Sequence, residues 1–116
     1  MNNIEKYTSY SKWERILDWI MQRVEGFPKH LRYTVCSRIM NYSLLIMENV
    51  VDAIYSKEKV NYLREINREL NILRFYFRLS YKRKLINIKQ YEYISNEMEE
   101  FGKIIGGWKR NSEENK

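Results

Sequence analysis

The chain is poor in everything that breaks or cross-links a polypeptide. Its 116 residues include one proline, four glycines, one cysteine and one histidine. A lone Cys36 has no partner for an intrachain disulfide, so a reducing compartment is expected. His30 stands six residues from Cys36, a separation that turns the two about 120° apart on a helix. They form no thiol–imidazole pair, and a surface histidine with a packed cysteine is the expectation. No glycine-rich phosphate loop occurs, and no His, Cys, Asp and Glu cluster has metal-ligand spacing. The protein is therefore not expected to be an enzyme, nor to take a cofactor, a metal or a small-molecule substrate. No apolar run approaches about 18 residues, so no membrane span is expected. The opening MNNIEKYTSYSKW lacks the apolar stretch of a signal peptide, and the expected location is the cytoplasm.

Strand signals are missing as well. No alternating apolar and polar stretch of any length appears, and neither Gly nor Pro falls between residues 29 and 84. The expected fold class is all-α. The length suits one domain, large enough to bury about two-thirds of its unfolded surface.

What is present centres on residues 63–84, LREINRELNILRFYFRLSYKRK. Leu63, Ile66, Leu70, Leu73 and Phe77 recur in steps of three and four, which is one face of an α-helix. Arg64, Arg68, Arg74, Arg78 and Lys82 gather in a sector roughly 120° from that face. One helix thus offers an apolar stripe to a core and a cationic stripe to something else. Residues 57–89 hold ten basic and three acidic side chains, an excess of seven against a whole-chain charge of +6. No Asp or Glu occurs between residues 70 and 91. Charge this concentrated points to an acidic partner, although a solvated helix face reads the same way in sequence.

The chain in order gives the rest. Residues 1–8 read as a flexible polar lead-in, with Ser9 or Ser11 as N-cap of the first helix. Trp13, Ile16, Leu17, Ile20 and Val24 mark its buried face, and it ends near Glu25. Gly26 suits a left-handed turn and Pro28 the first position of the next helix. Val35, Ile39, Tyr42, Ile46, Val50 and Ala53 line that second helix. The polar residues 56–59 suit a connection, although Val60 keeps phase with Ala53 and periodicity alone admits one long helix. Two helices are expected, because a compact core needs the chain to fold back.

Lys82, Arg83 and Lys84 close the third helix, where cations meet the favourable end of its dipole. Asn87 with Gln90 forms a capping box for the fourth. Its inner face is Ile88, Tyr91, Met98, Phe101 and Ile105. Gly102 costs about 1 kcal/mol against Ala mid-helix, which a close helix approach would explain. Gly106-Gly107 is expected to stop the helix, so that the domain covers 9–108 and 109–116 form a disordered polar tail. Glu97, Glu99 and Glu100 read as solvated surface or as partners for the basic helix. Tyr33, Tyr55, Tyr62, Tyr76, Tyr81 and Tyr93 lie off the main stripes and suggest self-association. Four amphipathic helices with short connections predict an antiparallel up-and-down four-helix bundle.

Several segments carry a resemblance. They are Gly26-Phe27-Pro28-Lys29, Arg32-Tyr33 with Arg38-Ile39, Leu73-Arg74-Phe75 with Arg78-Leu79, Gln90-Tyr91, and Glu100-Phe101-Gly102-Lys103-Ile104-Ile105-Gly106-Gly107-Trp108. Over about residues 13–109 the chain resembles the Avd family, the accessory variability determinants of diversity-generating retroelements. It also resembles the four-helix bundle proteins encoded in ribosomal RNA intervening sequences. The closing E-x-G-x-x-x-G-G-W pattern is the most specific part.

The resemblance implies a bundle assembled as a homopentamer that binds a reverse transcriptase and a structured template RNA during mutagenic cDNA synthesis. It implies no catalysis by the bundle itself. Arg74 and Arg78 lie in the matching segment and on the cationic stripe. With Arg64, Arg68, Lys82, Arg83 and Lys84 they are the expected RNA- or reverse-transcriptase-binding residues. At Lys103 the family more often has Arg, and Lys cannot form a bidentate pair. The alternative is a structural or ribosome-associated oligomeric bundle without a retroelement role.

Overall fold

The computed structural model describes residues 4–114 as four long helices. They are α1 (Ile4–Glu25), α2 (Ser37–Tyr55), α3 (Val60–Lys82) and α4 (Ile88–Glu114). A 3-10 turn (Lys29–Leu31) and a π-helical turn (Arg32–Cys36) lead into α2. No strand occurs among the described residues.

Side-chain pairs fix the arrangement. Lys12 meets Glu97 and Glu100, while Trp19 stacks near Tyr93, so α1 and α4 run in opposite directions. Trp13 Nε1 donates to the Ser43 carbonyl at 2.9 Å, tying α1 to α2. Asn49 with Glu69 and Tyr42 with Tyr76 align α2 antiparallel to α3. Arg74 reaches the Met98 carbonyl and Leu70 lies beside Gly102, which sets α3 against α4. Each helix therefore packs on two neighbours, in an antiparallel bundle 47 × 25 × 19 Å.

The 3–4 spacing explains the core. Leu63, Ile66, Leu70, Leu73 and Phe77 are all buried, as are Trp13, Ile16, Ile20 and Val24 from α1. Ile39, Ile46, Val50 and Ala53 of α2 meet Ile94, Met98, Phe101, Ile105 and Trp108 of α4 in the same cluster. Trp13 and Phe101 stack with ring centroids 4.6 Å apart at the centre.

Of the buried polar groups, Arg23 Nε and Trp108 Nε1 find no hydrogen-bond partner among the described residues, while Glu69 is matched. The carboxylate of Glu69, 1% exposed, accepts from the Asn49 amide at 2.9 and 3.0 Å. Burial pushes the Glu69 pKa above its ordinary value, against the lowering effect of that amide. The helix breaks between Tyr55 and Val60, as a compact core requires. The Ser56 hydroxyl accepts from the Glu58 N–H, and Lys59 Nζ donates to the carbonyls of Ala53, Ile54 and Ser56. The ammonium thus satisfies carbonyls left open at the end of α2. Burial lowers the Lys59 pKa, and repulsion from Lys6 adds to this.

Several boundaries differ from expectation. The first helix begins at Ile4, and Ser9 lies inside it, buried, donating to the Lys6 carbonyl rather than capping. Met1, Asn2 and Asn3 fall outside the described residues, as do Asn115 and Lys116. No described glycine has a positive φ, so Gly26 makes no left-handed turn. Pro28 sits one position earlier than expected, as the cap of the 3-10 turn. Ile88 faces outward, and Ile94 takes the inner position. Gly106-Gly107 does not end α4, which runs on to Glu114. The buried Trp108 holds that turn against the bundle and outweighs two glycine penalties of about 1 kcal/mol each.

Candidate nucleic-acid interface

The third helix turns its apolar stripe into the core and leaves its other side to solvent. Arg64, Arg68, Arg74 and Arg78 are exposed along it, and Lys82, Arg83 and Lys84 are exposed at its end. The structure does not gather all seven into one site. Arg64 approaches the Asn61 amide oxygen at 3.4 Å, and Arg68 pairs with Glu65 at 3.3 Å. The Arg68 pair is more than half exposed on both sides, so it contributes little to stability.

Arg74 is placed differently. Its Nη2 donates to the Met98 carbonyl at 3.4 Å and lies over Gly102, where a Cβ would come within 3.2 Å of it. There it lines a groove between α3 and α4 with Asn67, Asn71, Lys103, Arg110 and Glu99. Sequence reasoning placed neither Lys103 nor Arg110 in such a groove. Their signal was the i, i+4, i+7 and i+11 spacing of Glu99, Lys103, Gly106 and Arg110, which sets them along one edge of α4.

Arg78, Lys82, Arg83 and Lys84 have no carboxylate within ion-pair distance among the described residues. The acidic run on α4 does not reach them. Glu97 and Glu100 instead hold Lys12 of α1 at 3.1 and 2.8 Å, which corrects the expectation of partners on the basic helix. Burial works to lower the Lys12 pKa, yet the hydrogen bonds and charges of Glu100 and Glu97 outweigh it and the net direction is upward. The same bond from Lys12 holds the Glu100 carboxyl below its ordinary value. Glu99 alone of the three stays on the groove edge beside Arg74.

The α3–α4 turn concentrates the remaining charge. Leu85 N–H bonds back to the Ser80 carbonyl and Lys84 N–H to the Tyr81 carbonyl, the paired closure of a Schellman motif. That closure requires a left-handed residue, and Lys84 occupies it with φ 62°. Asn87 then caps α4, its side chain accepting from Gln90 N–H at 2.8 Å while Gln90 returns the bond at 2.9 Å. Directly on this turn the rings of Tyr81 and Tyr91 stack with centroids 4.9 Å apart and planes 8° from parallel.

Elsewhere the chemistry is quiet. Cys36 is buried, and burial raises its thiol pKa, so it is a packed side chain rather than a nucleophile. Among the described residues no group of three or more His, Cys, Asp or Glu could hold a metal ion, and no helix is long and apolar enough to cross a membrane.

Fold and surface together define a class: an antiparallel four-helix bundle whose third helix and following turn present unneutralised cations. The chain belongs to the bAvd-like family, whose model matches residues 7–112. Among solved structures it is similar to a protein of unknown function from the S23 ribosomal protein family of Bacteroides thetaiotaomicron. That likeness has a TM-score of 0.83 at 17% identity, over 91% of this chain and 98% of the other. No curated protein matches the chain.

Proposed function

We propose that this protein is a non-enzymatic accessory protein of a diversity-generating retroelement. It binds the reverse transcriptase and the structured template RNA through its basic surface. Membership of the bAvd-like family, an accessory and non-catalytic one, supports the reading. The observation that carries it is the run Arg78, Lys82, Arg83 and Lys84, exposed and without ion-pair partners among the described residues. Carboxylates occur on the neighbouring α4, but two of the three in its acidic run are turned to α1. An outward cationic face left open by the fold suits phosphates or an acidic protein surface. The same reading makes the molecule a homopentamer, and the exposed Tyr33, Tyr55, Leu44, Leu45 and Phe75 give apolar surface for copies to share. Light scattering that gives a monomer mass at micromolar concentration would sink that assembly.

The test of binding is Arg74→Ala with Arg78→Ala. Circular dichroism first establishes that the variant folds. The expected result is weaker binding to template RNA or to reverse transcriptase. For RNA, the salt slope should fall by about 0.7–0.9 for each lost phosphate contact. Glu14→Gln, an exposed change on α1, serves as the control, since Glu99 lies beside Arg74. Parental affinity of the double variant for both partners at low and moderate salt would leave only a structural oligomeric bundle.

A further inference from the structure

The stacked pair Tyr81–Tyr91 is not explained by the core. Tyr91 is half-buried and packs against the hydrophobic cluster, but Tyr81 lies on its outer side and remains 37% exposed. The two rings are 8° from parallel with centroids 4.9 Å apart, so Tyr91 covers one face of Tyr81. Among the described residues neither phenol hydroxyl has a hydrogen-bond partner. What sets Tyr81 apart is that its ring is stacked on one side and open to solvent over part of the rest.

The surroundings carry several cations. Tyr81 shares a concave surface with Lys82, Lys84 and Asn87 at the α3–α4 turn. Arg83 and Lys89 are exposed on the same turn and on the first turn of α4. No Asp or Glu occurs between residues 70 and 91. The turn holds Lys84 in a left-handed conformation that glycine would adopt without cost, so a charge is kept there against backbone preference.

We infer that the Tyr81–Tyr91 pair is a stacking platform for an unpaired base, with Lys82, Arg83 and Lys84 holding the flanking phosphates of a single-stranded RNA segment. An aromatic face beside a cationic rim is the arrangement that binds single strands. Every base presents a π-face, and the backbone requires cations. A duplex keeps its base faces stacked inside the helix and cannot use the ring. The inference rests on the RNA-binding reading and narrows it to the unpaired parts of the template.

The experiment uses the full chain and a roughly twelve-nucleotide uridine-rich RNA, whose bases stack weakly, carrying a central 2-aminopurine, free or annealed to its complement. Stacking of the probe on an aromatic ring quenches its fluorescence. Tyr81→Ala should weaken single-strand binding about tenfold and abolish the quench, while duplex binding stays at the parental value. Tyr81→Phe should keep both the affinity and the quench, since the hydroxyl plays no part. Lys82→Gln with Lys84→Gln should weaken binding of both RNA forms and lower the salt slope. The inference is overturned if Tyr81→Ala binds and quenches the single strand as the parent does, or loses single strand and duplex equally. If the lysine variant is weakened in that case, RNA binding by the turn stands and only the platform falls. If the parent binds neither RNA, the platform and the RNA part of the functional reading fall together.

Discussion

Helix α4 meets its two neighbours in opposite ways. On the α1 side, the half-buried Glu97 and the exposed Glu100 close on the buried Lys12, and its charge is paired at the edge of the seam. On the α3 side, Gly102 removes its side chain, Leu70 packs to within 3.3 Å of the place a Cβ would take, and Arg74 lies across the opening. The first seam is shut by a charge cluster, the second by the side chains of Leu70 and Arg74 packed onto Gly102. With Glu97 and Glu100 turned to Lys12, only Glu99 of the acidic run 97–100 lines the groove beside Arg74. The open basic face is thus a consequence of where the acids went as much as of where the bases are.

The comparison can be broken most strongly at the first seam. Lys12→Met leaves the part-buried Glu97 carboxylate without its cation and should lower stability by about 3 kcal/mol. The pH dependence follows from the two shifts. The raised Lys12 pKa gives stability that is full below 10.5 and lost as pH rises through the folded value. The lowered Glu100 pKa gives stability that is full above 4.5 and lost as pH falls through the folded value. The gap between parent and variant, measured by denaturant titration, should therefore be widest between those limits and narrow outside them. A constant gap across the range would mean that packing, not charge, closes this seam.

Next in size is the second seam. Gly102→Leu should cost about 2 kcal/mol by forcing Leu70 and Arg74 aside, with a matching fall in melting temperature. An unchanged melting temperature would show that α3 can move away, and that the seam is no tighter than the first.

The smallest effect separates stability from binding. Lys84→Gly relieves the left-handed strain and should raise stability by about 1 kcal/mol while weakening RNA binding. Stability and affinity moving in the same direction would mean that Lys84 is there for the fold.

Much of this was legible in the sequence. Apolar residues at steps of three and four placed the α3 stripe, and all five of its members are buried. The Asn87–Gln90 capping box followed from local chemistry, the α2–α3 break from the need of a compact core to fold back, and the packing at Gly102 from its helix-propensity cost. What escaped was whatever depends on a partner far along the chain. Lys12 and Glu69 look like surface residues by type, and only helices 20 to 88 positions away supply Asn49, Glu97 and Glu100. The end of α4 escaped for the same reason, because Trp108 gains from the bundle what Gly106-Gly107 loses locally. Of the site, the cationic stripe was legible, since charge periodicity is local. The groove holding Lys103 and Arg110, and the ring pair Tyr81–Tyr91, needed α3 and α4 set side by side.

The seam between α1 and α4 also dates itself in the folding of the chain. Its ion pairs join residues 85 and 88 positions apart, whereas α2 and α3 are connected by a turn already closed by Ser56 and Lys59. Closing the longer loop costs more entropy before any contact is gained, so the α2–α3 hairpin is expected to assemble before α1 docks onto α4. The amides of α1 should then exchange their hydrogens through a smaller opening than those of α2 and α3. The basic helix, flanked by the connection that forms first, would be in place before the bundle is complete.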